Sequence, residues 1–407
     1  MILGTSRAQL HVIIVLANGT YRKGALMAPA SRQSLIDSRI TRRDFVSCAI
    51  TLAGGVALFS LPGRALAAEG LVAGIPTPSK TVFEDSLGRS VELGRPASFV
   101  VPLGIYAQTM METLYPGALA SLAKEVSGDA ADFAEAGLAD IVGLIETGTP
   151  GANFGKRVDS AQIAALAPDI VLQAGLPRAG VAEELERVQS ETGVPCVFLD
   201  ISFGKLQESY RMLGRLLGCE KRAEELAWYI EDTQSRAKAA MAGGVEELRV
   251  FYGPRVAGKK VTAGVSVQVD VMSALGLAPV IRPYDFEGRT VDFGALAAED
   301  PDFVILDDTS FPSSFFSCEG EVYELWKGIR AISEGRFAVA PALMHNILGS
   351  AVFAQSIGML WMAYVTTPSR FKYDIASEMV EFYRLFYGLD RDGKYMTELV
   401  GARVEHE

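Results

Sequence analysis

Apolar residues in this chain fall into short runs separated by helical spacing, and the same order keeps returning. Phe99-Val100-Val101-Pro102-Leu103 reads as a short buried strand, and Ala107–Tyr115 after it carries apolar residues at helical intervals. Ile170-Val171-Leu172 predicts a strand, Val181–Thr192 a helix and Cys196–Leu199 a further strand. Strands that alternate with helices in this way imply a parallel sheet covered by helices. Ahead of them, Val82–Arg95 has the pattern of a hairpin whose turn is Asp85-Ser86-Leu87-Gly88. A long helical stretch runs from Lys205 to Ala242 and is punctuated once, at Gly218-Cys219. Its second part, Glu220–Ala242, is built of good helix formers with apolar residues near every 3.6 positions.

One helix–strand unit occurs twice. Val158-Asp159 begins a stretch that ends in Pro168-Asp169 and a buried strand; Val291-Asp292 begins its copy, ending in Pro301-Asp302 and another buried strand, 133 residues later. In each copy the first Asp suits a helix N-cap, the helix has about two turns, and Pro-Asp stops it. The duplication predicts two Rossmann-like α/β lobes with mostly parallel sheets and a ligand cleft between them. At 1.5 Å per residue, Glu220–Ala242 would reach about 35 Å, enough to join one lobe to the other. A single connecting helix resists bending, so the cleft should close by small amounts. The expected divisions are a leader over 1–67, a first lobe over 75–204, connecting helices over 205–243 and a second lobe with terminal helices over 244–400.

The leader changes the charge balance. Thr41-Arg42-Arg43-Asp44-Phe45-Val46 has the form of a twin-arginine export motif, followed by an apolar run of 16 residues from Val46 to Leu61 and the small-x-small sequence Ala65-Leu66-Ala67. That run is shorter than the roughly 20 residues of a spanning helix, which favours a cleaved signal over a retained anchor. The expected destination is the periplasm or the outer face of the cytoplasmic membrane, reached through the twin-arginine translocase. The whole chain has a formal charge of −11. Removing residues 1–67, with eight Lys/Arg and two Asp/Glu, leaves 30 basic and 47 acidic residues, a net of −17. Such a surface argues against nucleic-acid binding, which needs a basic face. Cys196, Cys219 and Cys318 remain, an odd number that demands no disulfide; Cys196 lies in an apolar strand as a core thiol.

Common catalytic signatures are missing: there is no H-E-x-x-H, G-x-S-x-G or paired C-x-x-C. Gly253-Pro254-Arg255-Val256-Ala257-Gly258-Lys259-Lys260 approaches a phosphate-binding loop. It fails where Lys260 replaces the Mg²⁺-ligating Ser/Thr, and Val261–Gly264 after it looks like strand, not helix. Beyond the leader only His345 and His406 remain, too few for a His-rich metal site. A metal carried by this chain should therefore arrive in its own organic ligand, with no intrinsic cofactor. In α/β sheets, ligands bind beyond the carboxyl ends of the strands. That rule selects Tyr106 and Arg178 from the first lobe, and Tyr252, Arg255 and His345 from the second. Aromatic and arginine side chains at such places suit a large, flat or anionic organic molecule.

Asp85-Ser86-Leu87-Gly88-Arg89-Ser90-Val91-Glu92 resembles the opening hairpin of the periplasmic binding proteins for iron siderophores, haem and cobalamin. Ile163–Leu172, Val194–Asp200, Leu213–Gly218 with Arg222–Leu226, and Glu381–Gly388 are similar to later segments of that family, in the same order. The resemblance covers about residues 80 to 390. It implies a non-catalytic protein that delivers a ferric siderophore, haem or corrinoid to an ABC permease and its ATPase. An exported cofactor-handling protein or enzyme, or a solute sensor, is the alternative on the same fold. One departure bears on the permease: the family docks through a glutamate on each lobe, and the aligned positions here hold Ala161 and Gly294. Asp159 and Asp292 are the nearest acids, although N-capping is the role their positions favour.

Overall fold

The structure is a computed structural model; it describes residues 81–120, 158–243, 248–253, 255–257, 260–262, 266–281, 290–306, 319–341, 346–349, 351–389 and 393. Every described residue belongs to the second of two units of the chain, Pro76–Glu407. The expected export segment lies outside the described residues.

The first lobe opens with β1 (Thr81–Glu84) and β2 (Ser90–Leu93), an antiparallel hairpin in which Thr81 faces Leu93. Gly88 takes a φ of 76°, the left-handed conformation that its turn requires. Asp85 is the fixed point of this hairpin. Its buried carboxylate accepts from the backbone N–H groups of Leu87 and Arg89 and from the Arg89 guanidinium. Then come β3 (Val100–Leu103), α1 (Ile105–Leu114), α2 (Ser160–Leu166), β4 (Ile170–Gly175), α3 (Val181–Thr192) and β5 (Cys196–Asp200). The strands form one parallel sheet in the order β3-β4-β5. The hairpin turn rests against β5: the Phe198 N–H donates to Asp85 Oδ2, Ser86 N–H donates to the Phe198 carbonyl, and Arg89 Nη2 donates to the Cys196 carbonyl. Cys196 is sealed in this strand, and burial pushes its thiol up to about 12.

Next, α4 (Leu206–Leu217) and α5 (Glu220–Met241) pack against each other as a helical pair. Gly218 ends α4 with a φ of 69°. Gly214 lets the pair approach closely, since a Cβ there would come within 2.3 Å of the Ala223 Cβ. The second lobe contains β6 (Arg249–Gly253), β7 (Arg255–Ala257), β8 (Lys260–Thr262), α6 (Ser266–Ala274), β9 (Ala278–Pro279), β10 (Thr290–Asp292), α7 (Phe293–Ala298), β11 (Phe303–Leu306), α8 (Gly320–Trp326), α9 (Arg330–Ser333) and β12 (Phe337–Val339). Its main sheet, ordered β12-β11-β6-β9, is parallel, and β10-β8-β7 form a small antiparallel sheet. Two helices close the described fold, α10 (Gln355–Thr366) and α11 (Ile375–Tyr387).

The sequence expects one helix to join the lobes; the structure places α10 beside it. This helix is apolar almost all round and packs on α5 and α6, while the 3₁₀ turn Val352–Ala354 before it packs on α1 of the first lobe. Gly358 permits its close contact with the turn at 346–349, because a Cβ there would lie 2.7 Å from the Ile347 carbonyl oxygen. Arg236 pairs with Glu378, and Arg222 donates to the Leu385 carbonyl, tying α11 to α5. One continuous hydrophobic core therefore includes Ala107 of the first lobe, Ile230 of α5, Trp361 of α10 and Tyr252 of the second lobe. Each lobe has a separate core on the other face of its sheet, around Val171 in the first and Val304 in the second.

The two repeat copies are wired alike. Asp159 caps α2 by accepting from the Ala161 and Gln162 N–H groups, and Asp292 caps α7 by accepting from Ala295. Asp169 N–H donates to the Phe99 carbonyl and Asp302 N–H to the Arg249 carbonyl, both at 2.7 Å. In return, the Phe99 and Arg249 N–H groups donate to the Asp169 and Asp302 carboxylates at 3.0 and 3.1 Å. Among the described residues, positive φ outside glycine occurs at Ala167 (47°) and Asp300 (42°), which are equivalent positions of the repeat.

Two outcomes follow for stability. Asp85→Ala removes one partner of a buried ion pair, so chemical denaturation should show a loss of about 3 kcal/mol. Ala167→Gly relieves a left-handed alanine at a helix end and should raise stability by about 0.5–1 kcal/mol, measured the same way.

Candidate functional site

Of the residues that sequence reasoning selected, Tyr106 and Arg178 follow strands of the first lobe's parallel sheet and Tyr252 lies near the carboxyl end of β6 in the second. In the first lobe, β3 runs through Gly104 (φ 96°) into α1, whose second residue is Tyr106. Tyr106 is half-buried against the continuous core, and burial raises its phenol above the ordinary range. After β4, Arg178 is exposed and its guanidinium lies 2.8 Å from Glu184 of α3. After β5, the Asp200 carboxylate accepts from the Ser202 N–H at 2.8 Å and shapes the loop that holds Phe203. Phe203 packs partly buried on the continuous core, and Lys238 of α5 stands 5.0 Å above its ring centroid.

In the second lobe, Tyr252 is the penultimate residue of β6 and only 3% exposed. Its hydroxyl donates to the Leu348 carbonyl at 3.1 Å. Gln268, in the first turn of α6, donates to the same carbonyl through Nε2 at 2.5 Å. Asn346 fixes the turn that presents this carbonyl: its Oδ1 accepts from Leu348 N–H at 2.8 Å, and its Nδ2 donates to the Ala340 carbonyl beyond β12. Three segments thus converge at the strand ends of the second lobe. Arg255 lies in β7, its backbone paired with Thr262 of β8, so the described part of the near-phosphate stretch runs into strand at Lys260–Thr262. It does not lead into a helix, so it lacks the helix N-terminus a phosphate loop uses. His345 lies outside the described residues.

Tyr106 and Tyr252 thus meet the same hydrophobic core from opposite lobes, whereas Arg178 stands in solvent. Phe203 and Gln268 also stand near these strand ends, and sequence reasoning did not select them. Phe203 follows a strand at its carboxyl end, and the positional rule that chose Tyr106 would have found it. Gln268 gives no such signal, because a glutamine in a helix is ordinary.

A parallel sheet in each of two lobes, with a long helix connecting them, is the two-lobed α/β architecture of periplasmic binding proteins. The sequence profile of the periplasmic binding protein family matches residues 140–343, and the chain belongs to that family. As a member of that family it is an exported periplasmic binding protein and not an enzyme. The fold is similar to an ABC transporter solute-binding protein from Sulfurospirillum deleyianum, with 19% identity over 78% of this chain and 98% of that one, at a TM-score of 0.67. It is also similar to the TroA-like periplasmic binding protein FepB from Veillonella parvula, with 17% identity over 76% and 97% of the chains and a TM-score of 0.59. A third similar structure is the molybdate-binding protein MolA of Haemophilus influenzae, bound to molybdate, with 14% identity over 77% and 99% and a TM-score of 0.59. No curated protein matches the chain. Among the described residues, no helix is long and apolar enough to cross a membrane.

The Tyr252 hydroxyl can be tested apart from any ligand. Tyr252→Phe should cost about 0.5–1.5 kcal/mol of stability, the net value of one hydrogen bond, as read from denaturant unfolding.

Proposed function

We propose that this protein captures a metal held in an organic chelate, a ferric siderophore, haem or corrinoid, and delivers it to an ABC permease and its ATPase. The observation that carries this reading is the pairing of aromatic side chains at the strand ends of both lobes with a scarcity of metal-ligating histidine. Tyr106 and Phe203 offer rings from the first lobe. With only His345 and His406 beyond the leader, a bare transition-metal ion would find few imidazoles. Tyr106, Arg178, Tyr252, Arg255 and His345 are the proposed ligand-binding residues. Arg178 must leave Glu184 to reach an anionic ligand, and an exposed ion pair of that kind is weak enough to exchange. The family neighbours bind different things: one is described with molybdate, and CeuE from Helicobacter pylori is described with Ni-His. Export through the twin-arginine translocase is part of the proposal, motivated by Arg42-Arg43.

Docking on the permease needs contacts other than the family's glutamates. Ala161 and Gly294 are both exposed, and the nearest acids, Asp159 and Asp292, are engaged as helix caps through Oδ1. We assign docking to the helix ends that these residues cap, α2 and α7, with the caps retained.

The test is calorimetric titration of the purified protein with ferrichrome, haemin, cyanocobalamin and molybdate. One chelate should bind, and Arg178→Ala and Arg255→Ala should each weaken an anionic one about ten- to a hundredfold, from the 1.5–3 kcal/mol of a charged hydrogen bond. Binding of molybdate alone, or of none of the four, rejects the chelate reading.

A further inference from the structure

The amide of Gln268 is held in one orientation by its neighbours. The Leu348 carbonyl can only accept hydrogen bonds, and it takes one from Tyr252 Oη at 3.1 Å and one from Gln268 Nε2 at 2.5 Å. The amide nitrogen must face Leu348, so the amide oxygen must face away from it. Flipping the group would set two acceptors against each other. Gln268 is 4% exposed, and its Oε1 is closed to solvent and accepts no hydrogen bond. Buried acceptors are nearly always paired, so one that is not calls for an explanation.

Its place in the fold indicates which partner. Gln268 belongs to the first turn of the helix that follows β6 by way of the β7–β8 hairpin, and Leu348 belongs to the turn that follows β12. Both therefore lie at the carboxyl edge of the second lobe's sheet, where ligands of α/β proteins bind. Tyr252 and Leu348 also belong to the core shared with Tyr106 of the other lobe. We infer that Gln268 is a specificity-determining residue, whose Oε1 accepts a hydrogen bond from an N–H or O–H group on the ligand. This rests on the chelate reading above and narrows it. An amide oxygen favours chelates that carry peripheral amide or hydroxyl donors, as corrinoids and hydroxamate siderophores do. It gives nothing to a bare oxyanion such as molybdate, or to the carboxylate edge of haem, which present acceptors. Ligands that satisfy a site's polar groups outcompete analogues that leave them unpaired.

Gln268→Met keeps the length of the side chain and removes the amide. Two measurements on this variant and the wild type decide the matter: Tm without ligand, and calorimetric affinity for cyanocobalamin, ferrichrome, haemin and molybdate. The expected result is a Tm at or above that of the wild type, because an unpaired buried acceptor is lost while Tyr252 still serves Leu348. Affinity for the donor-bearing chelate should fall about tenfold or more, the effect of one buried hydrogen bond. Unchanged affinity for a donor-bearing chelate that the wild type binds overturns the inference, as does wild-type binding confined to haemin or molybdate. If the wild type binds none of the four, the chelate reading fails and the assignment of Gln268 to a ligand falls with it, whereas a binding wild type tests Gln268 on its own. A variant that melts several degrees lower shows that the amide serves the fold and overturns the inference. One that melts at or above the wild type and binds the donor-bearing chelate about tenfold more weakly or worse sustains it.

Discussion

Everything in the second unit of this chain depends on one uninterrupted hydrophobic core that runs from the first lobe, through α5 and α10, into the second. Burial of apolar surface is roughly proportional to area, so a core shared by both lobes makes their relative placement part of the folding energy. Hinged lobes joined by thin strands keep two cores and can swing; here the inner faces of both sheets and the connecting helices solidify together. The ion pair from Arg236 to Glu378 and the bond from Arg222 to the Leu385 carbonyl fasten the last helix to the same axis. A shared core of this kind favours small shifts of packed elements over a swing of whole lobes.

The lobes attached to this axis are variations on one unit. Capping aspartates, left-handed residues before proline and reciprocal hydrogen bonds to the neighbouring strand recur at equivalent positions. Ala167 and Asp300 hold a conformation that L-residues adopt at a cost, and they do so in both copies. A strained feature kept twice belongs to the geometry of the unit: the chain must turn sharply there so that Pro-Asp can begin the strand.

How much of this was legible in the sequence follows from the kind of signal each part carries. The repeat, the first lobe's strands and the long helix were legible because caps, Pro-Asp stops and periodic apolar positions are local. Strand and helix limits shift by a few residues, as at Ile105–Leu114, where helix begins ahead of the apolar spacing. The role of α10 was not legible. Its residues Gln355–Thr366 are buried on nearly every side, so they show no amphipathic period and say nothing of what they touch. The site was legible only as strand ends. Tyr106 could be located by that rule, but the burial of Tyr252 and its bond to Leu348 depend on a turn 96 residues later. Likewise the orientation of the Gln268 amide exists only once Leu348 is in place.

The β1–β2 hairpin has a further consequence, beyond the energy held in Asp85. With the order β3-β4-β5, the strand β5 has a strand neighbour on one side only among the described residues, and an open strand edge is a template on which another chain can add. The hairpin turn occupies that edge: Phe198 N–H and its carbonyl, and the Cys196 carbonyl, are taken up by Asp85, Ser86 and Arg89. It acts as a stopper against intermolecular sheet growth. Seven consecutive residues from Val194 to Asp200, five of them buried, are thereby kept from self-association in a compartment where exported proteins must remain dispersed.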